Sequence, residues 1–208
     1  MKIYRCVKTD RLSQGFGDNL PCSPEGQLTP VVSYSNGTCP IGYTKLYPKL
    51  NLKGHNGYDL VAYRGEPVYH AGDFSGWVKT EVDQNGGIGV RVVSDTPQLG
   101  QNCATLIYWH LLRVMVYDGQ KVQPGAVLGL ADSTGLSSGD HVHFALKEST
   151  DKGVSLNTGN GYFGCIDPTP YFENKFVVDV MRIQELRVKL GSRLQQLIFY
   201  LKMLLGRR

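Results

Sequence analysis

Asp140-His141-Val142-His143-Phe144-Ala145-Leu146 is the stretch whose reading decides the fold. From His141 to Phe144 polar and apolar residues alternate. Successive side chains of a strand point to opposite faces, so His141 and His143 share one face while Val142 and Phe144 share the other. Such a strand has a core behind it and a groove in front, with two imidazoles looking into the groove. One of them can bind a metal while its neighbour handles a water.

The same texture extends upstream. Strand-like runs occur at 58–62, 67–70, 76–82, 88–94, 104–111 and 126–131, and 141–146 makes a seventh. Short connections rich in Gly, Asp and Asn separate them. Glycine supplies 25 of the 208 residues, well above the usual ~7%. The expected fold class is therefore mainly β: an antiparallel sheet with a groove, formed by a single domain over residues 1–172. Residues 1–20 read as a strand pair, and about 21–41 as a loop insertion dense in proline. Asp167-Pro168-Thr169-Pro170 is expected to end the β region, because two prolines in four residues suit neither a ladder strand nor a helix interior.

Beyond that point the period changes. Phe176, Ile183, Leu190, Leu197 and Leu204 lie seven apart, with Val180, Leu194 and Leu201 at the intervening seam positions and Arg187 as the polar exception. This predicts an amphipathic C-terminal α-helix over 173–208. From Glu173 onward the chain carries eight Lys/Arg and three Asp/Glu, a surplus of five positive charges. A basic, amphipathic helix suits homo-oligomerisation, contact with an anionic membrane surface, or packing on its own domain. Its apolar stretch is shorter than the ~20 residues needed to span a bilayer.

Five histidines are present. The second motif is His55-Asn56-Gly57-Tyr58-Asp59. In an extended strand His55 and Asp59 would be ~13 Å apart, but Asn56-Gly57 is a strong turn pair that can bring imidazole and carboxylate together. His55, Asp59 and His143 then make a three-ligand set with an open fourth position, the arrangement of a catalytic zinc site. His110, in Tyr108-Trp109-His110-Leu111, is the fourth histidine of the groove. His70, alone on a strand, receives no role.

These motifs, taken together, resemble the lysostaphin/LytM family of peptidoglycan metallo-endopeptidases over residues 14–172. Further matches are Gln14-Gly15-Phe16-Gly17, Gly65-Glu66-Pro67-Val68-Tyr69, Trp109-His110-Leu111, Gly119-Gln120-Lys121-Val122, Gly135-Leu136-Ser137-Ser138-Gly139 and Asp167-Pro168. The resemblance implies a β-sheet groove walled by loops, with one zinc ion on its floor. It implies His55, Asp59 and His143 as metal ligands, and His110 and His141 as catalytic residues. The implied activity is zinc-dependent hydrolysis of peptide bonds in bacterial peptidoglycan, in stem peptides or cross-bridges. Some relatives have lost ligands and only activate other enzymes; this chain keeps all five residues. It departs from the family in the 21–41 loop, in His70 where a small residue is common, and in its helical tail.

Composition narrows the partners. Without the tail the chain carries a net charge of about −1, so no basic face for nucleic acid is expected. Cys6, Cys22, Cys39, Cys103 and Cys165 form no C-x-x-C pair and read as free thiols, although Cys22 and Cys39 can pair in an oxidising setting. The amino end lacks an apolar signal region. The expectation is a product made in the cytoplasm without a signal peptide, which acts at the bacterial cell wall after release at lysis or as part of a virion. Two competing readings are a virion assembly protein with an oligomerising tail and an inactive activator of another wall hydrolase.

Overall fold

Alternating apolar and polar side chains pair into ladders, and the ladders here build one large sheet with a smaller one stacked on it. The computed structural model of the chain describes residues 1–18, Tyr47 and residues 50–205. The expected loop at 21–41, with Cys22 and Cys39, lies outside the described residues. The strands are β1 (Ile3–Arg5), β2 (Leu12–Gln14), β3 (Tyr58–Val61), β4 (Pro67–Tyr69), β5 (Gly76–Asp83), β6 (Gly87–Ser94), β7 (Cys103–Trp109), β8 (Leu111–Val114), β9 (Lys121–Val122), β10 (Val127–Ala131), β11 (His141–Ser149), β12 (Cys165–Ile166) and β13 (Phe172–Phe176). A single long helix, α1 (Val177–Leu205), follows them.

The large sheet has the order β2-β3-β11-β7-β6-β5-β9, with β12 added on β11, and each of these pairings is antiparallel. One face of it, carrying Leu60, Val78, Val92, Leu106, Tyr108, Val142, Phe144 and Leu146, is buried in the main core. The three-stranded sheet β4-β10-β8 covers that face with Val68, Leu111 and Leu128. On the opposite face Ile107, Ala145 and Cys165 form a smaller cluster with Phe16, Trp109 and Tyr162 against it. That face is the floor of the groove.

The mainly antiparallel β architecture is as expected, and each of the seven runs contains a strand. Four details differ. The two amino-terminal strands do not pair with each other: β1 lies parallel to β13, and β2 pairs with β3. The run at 104–111 is two strands, broken at His110, which takes a left-handed backbone with φ 65°. The kink lets the chain leave the large sheet after Trp109 and enter the small one at Leu111. Asp167-Pro168-Thr169-Pro170 does not end the β region. A 3₁₀ turn at Thr169–Tyr171 leads into β13, because the prolines only have to be accommodated in the turn.

Phe176 belongs to β13, not to the helix, and its ring meets Tyr69 edge-on at 5.4 Å. Helix α1 is anchored at its first turn by Val177, which is fully buried. Further along, Ile183, Leu186, Leu190, Leu194, Leu197 and Leu201 are exposed, so packing on its own domain is not what covers these side chains. Among the described residues no helix is long and apolar enough to cross a membrane.

His70 is a core residue. Its Nε2–H donates to the Phe74 carbonyl at 2.7 Å, Tyr108 Oη donates to its Nδ1 at 3.3 Å, and the Ala71 N–H donates to Tyr108 Oη. Every polar atom in this chain of bonds is satisfied by a neutral imidazole. Burial accordingly pushes the His70 pKa down to about 4.

Candidate functional site

Strand register places the first two residues of the site. Strand β11 pairs with β3 so that His143 lies opposite Asp59, and with β7 so that it lies opposite Trp109. Both side chains face the groove, while Val142 and Phe144 are fully buried behind them. His55 precedes β3, and the bend at Gly57 folds it back until its Nε2 is 3.1 Å from Asp59 Oδ1. Gly57 is required by space. A Cβ there would lie 2.4 Å from the Phe144 carbonyl oxygen and 2.9 Å from the His143 ring.

The segment after β2 clasps His55 from three directions. The Gly17 N–H donates to the His55 carbonyl at 2.7 Å, the His55 N–H donates to the Asp18 carbonyl at 3.2 Å, and His55 Nδ1 donates to the Gly15 carbonyl at 2.9 Å. That last bond fixes the tautomer. With its proton on Nδ1, a neutral His55 turns an Nε2 lone pair toward its neighbours.

Those neighbours are also donor atoms. His55 Nε2 lies 3.0 Å from His143 Nδ1, which lies 3.0 Å from Asp59 Oδ1. Burial by itself would raise the Asp59 carboxyl, but the charges and hydrogen bonds of His55 and His143 outweigh it and hold the carboxyl well below the usual range. Burial works against charge on both imidazoles. It leaves His143 lowered, whereas at His55 the Asp59 charge prevails and raises the pKa. Two imidazole nitrogens and a carboxylate oxygen therefore crowd one point, with too few protons to bridge them all. A metal ion answers this: donors ~2.0–2.1 Å from a tetrahedral centre stand about 3.3 Å apart, close to the spacing here. Among the described residues this is the one group of three or more His, Cys, Asp or Glu side chains arranged to hold a metal.

His141 and His110 complete the opening. His141 Nδ1 donates to the Gly139 carbonyl at 2.7 Å, which leaves its Nε2 as an acceptor 3.5 Å from Asp59 Oδ1. His110 Nδ1 donates to the Thr134 carbonyl at 2.7 Å, and the two rings are 4.6 Å apart. Burial and the neighbouring His141 bring the His110 pKa down to about 4. His110 holds this position in a left-handed backbone that L-residues seldom adopt, a strain that tends to collect at functional sites. The loop supplying both carbonyls is pinned in turn: Thr134 Oγ1 donates to the Leu111 carbonyl and accepts from the Ile88 N–H.

All five residues singled out in the sequence thus converge, and His70 stands apart in the core. The backbone carbonyls that orient three of the imidazoles were not named by sequence reasoning. The matched Gln14-Gly15-Phe16-Gly17 and Gly135-Leu136-Ser137-Ser138-Gly139 segments contain those of Gly15 and Gly139, and that of Thr134 left no trace, because a carbonyl has no residue-type signature. The groove around them encloses about 340 Å³ and includes Trp109, Ile107, Arg91, Ala145, Lys147 and Phe163 among its walls. Trp109 lies flat where Gly86 and Gly89 leave room; a Cβ on Gly89 would come within 2.1 Å of its ring.

The chain is similar to known proteins in sequence and in fold. The peptidoglycan DD-endopeptidase ShyC of Vibrio cholerae is 33% identical over 143 residues, covering 68% of this chain and 31% of its own length. The peptidoglycan DD-endopeptidase ShyA of the same organism is 37% identical over 92 residues, 44% of this chain and 20% of its own. The chain therefore spans only about a fifth to a third of the length of these relatives. In fold, it matches the antimicrobial peptidase lysostaphin from Staphylococcus simulans with a TM-score of 0.50 at 18% identity, over 82% of this chain and 54% of that one. The family model described as Peptidase family M23 matches residues 53–158, just over half of the chain and inclusive of all five groove residues, and the chain belongs to that family.

Proposed function

We propose that the chain is a zinc-dependent endopeptidase that hydrolyses peptide bonds in bacterial peptidoglycan. The observation that carries this reading is the convergence of three metal donors, His55 Nε2, Asp59 Oδ1 and His143 Nδ1, beside two imidazoles whose Nδ1 protons are already committed to carbonyls. Zinc is the metal this donor set favours, two imidazoles and one carboxylate with an open position. When bound, it would polarise the scissile carbonyl and lower the pKa of a water toward ~7.

The chain's own residues account for the proton movements. His141 Nε2, beside Asp59, is the acceptor for a proton released at the triad, and His110 faces the same opening to support developing charge or return a proton to the leaving amine. Trp109 and Ile107 form an apolar floor on which an extended peptide can lie. The relatives named peptidoglycan DD-endopeptidases favour a bond within stem-peptide cross-links, at the bacterial cell wall.

The tail supports a separate role from residue 177 onward. Exposed Ile183, Leu190, Leu194, Leu197 and Leu201 form an uncovered seam on a basic helix, suited to a second copy of the chain or to an anionic membrane surface. Sedimentation with and without anionic vesicles separates the two.

The peptidase reading is tested by loading the purified protein with zinc and following cross-linked muropeptide dimers by chromatography. About one zinc per chain and conversion of dimers to monomers that stops on chelation are expected. Full activity in metal-free protein would refute the reading.

A further inference from the structure

The floor of the groove continues past the metal triad along β11. With a period of two, His141, His143, Ala145 and Lys147 share one face, and Ala145, Lys147, Ile107 and Arg91 all line the groove. Ala145 lies opposite Ile107, which lies opposite Arg91 on β6, so Arg91 and Lys147 flank one end of the floor. Their situations differ. Glu81 Oε2 stands 2.6 Å from Arg91 Nε and compensates its charge.

Among the described residues Lys147 has no carboxylate in contact: Glu81 acts on it only from beyond ion-pair distance, and Arg91 opposes that effect. Lys147 is only 8% exposed, yet among the described residues no side chain or carbonyl makes a hydrogen bond or ion pair with its ammonium. Its neighbour across the β11–β12 ladder is Cys165, whose thiol burial pushes up to about 11. That thiol stays protonated at neutral pH and offers no counter-charge. Burial also lowers the Lys147 pKa, the direction expected of an ammonium that lacks a bound anion. Holding a charge on a mostly buried side chain without a contacting partner is costly, and a group of opposite charge in the groove, which Lys147 lines, lowers that cost.

We propose that Lys147 is the specificity-determining residue of an anion subsite in the groove, which takes a free carboxylate of the peptide being cut. The subsite rests on the peptidase reading above and deepens it. Lys147 lies four residues along the strand from His143, ~13 Å of backbone, and an extended peptide advances at a similar ~3.3 Å per residue. The preferred carboxylate therefore lies about two to four residues from the scissile bond. Neutral cross-bridges such as oligoglycine lack this group and are the poorer substrates.

The test uses the zinc-loaded full chain and a cross-linked stem-peptide dimer in two forms, with free carboxylates and with each carboxylate converted in turn to its carboxamide. The quantity read is the ratio of kcat/KM for acid over amide. Wild type should favour the acid at one position by about 10-fold or more, mainly through KM. In Lys147→Met that ratio should collapse toward one, and Lys147→Arg should restore part of it. A wild-type ratio near one at every position overturns the subsite, even if Lys147→Met fails to fold. So does a Lys147→Met protein of normal zinc content that keeps the wild-type ratio. Failure of wild type to cut either form strikes instead at the peptidase reading.

Discussion

Gly57→Ala is a single methyl whose consequence can be worked through from geometry. Its Cβ would sit 2.4 Å from the Phe144 carbonyl oxygen, in backbone that cannot rotate away, and 2.9 Å from His143 Cε1 and Nε2. Carbon–oxygen contacts settle near ~3.3 Å, so the segment bearing His55 and strand β11 must part by about 0.9 Å. Metal sites tolerate errors of about 0.2 Å in donor position, and the separation falls between His55 and His143, two of the three donors. Overpacking of this kind costs roughly 1–3 kcal/mol, which lowers Tm by about 2–12 °C in a chain of this size. Zinc affinity should fall by about 100-fold or more, beyond the 10–100-fold typical of outer-shell losses. The assay is zinc titration against a competing chelator, with melting curves of metal-free and loaded protein. Gly139→Ala is the control, since nothing lies within 4 Å of a Cβ there; it should match wild type in both. If Gly57→Ala binds zinc like wild type and melts within a degree of it, the steric account of the motif is wrong.

Other substitutions separate the remaining roles. His143→Ala should lose both zinc and hydrolysis, whereas His141→Ala should keep most of its zinc and lose hydrolysis; equal zinc loss in both would show the ligand assignment to be mistaken. His110→Gly should abolish turnover yet melt above His110→Ala by a few degrees, because glycine relieves a left-handed strain on the order of 1 kcal/mol; an Ala variant as stable as the Gly variant would argue against strain. His70 is held down to about 4 in the folded protein, against ~6.5 for a free imidazole. The unfolded chain thus binds the extra proton between those values, and the contribution of His70 is complete above about pH 6.5 and lost as pH falls toward 4, on the order of 3 kcal/mol. Urea unfolding of His70→Gln should show a shallower fall over that range than wild type; identical slopes would contradict this. Truncation after Asp179 retains β13 and Val177, so the body should melt within a few degrees of the full chain while oligomer size or vesicle binding drops; global unfolding would show that the tail supports the core.

Much of the site was legible in the sequence because its residues declare themselves by period and spacing. The alternation at 141–144 alone fixes which imidazoles share a face, and Asn56-Gly57 announces the bend that returns His55 to Asp59. What stayed hidden depends on contacts between distant segments. Strand β13 pairs with β1 across almost the whole chain, and neither three-residue β1 nor the polar Glu173-Asn174-Lys175 carries a pattern that would reveal it. The break at His110 sits in an unbroken apolar run, Ile107-Tyr108-Trp109-His110-Leu111, with no Gly or Asn to signal a left-handed backbone. Phe176 fits the heptad seam by spacing, yet Tyr69 claims it for the sheet. Lys147 falls just past the expected run at 141–146, and nothing in the sequence marks it as a lysine that the strand register turns into the groove.

The central claim is that the convergent His55, Asp59 and His143 serve a peptide-bond hydrolase acting on peptidoglycan. Its most direct measurement is incubation of zinc-loaded protein with purified bacterial sacculi, followed by mass spectrometry of the released fragments. The account predicts fragments with newly freed amino groups and intact glycan linkages, absent with chelator and absent with His143→Ala. Release of cleaved glycans with intact cross-links, or the same fragments from His143→Ala, would contradict it.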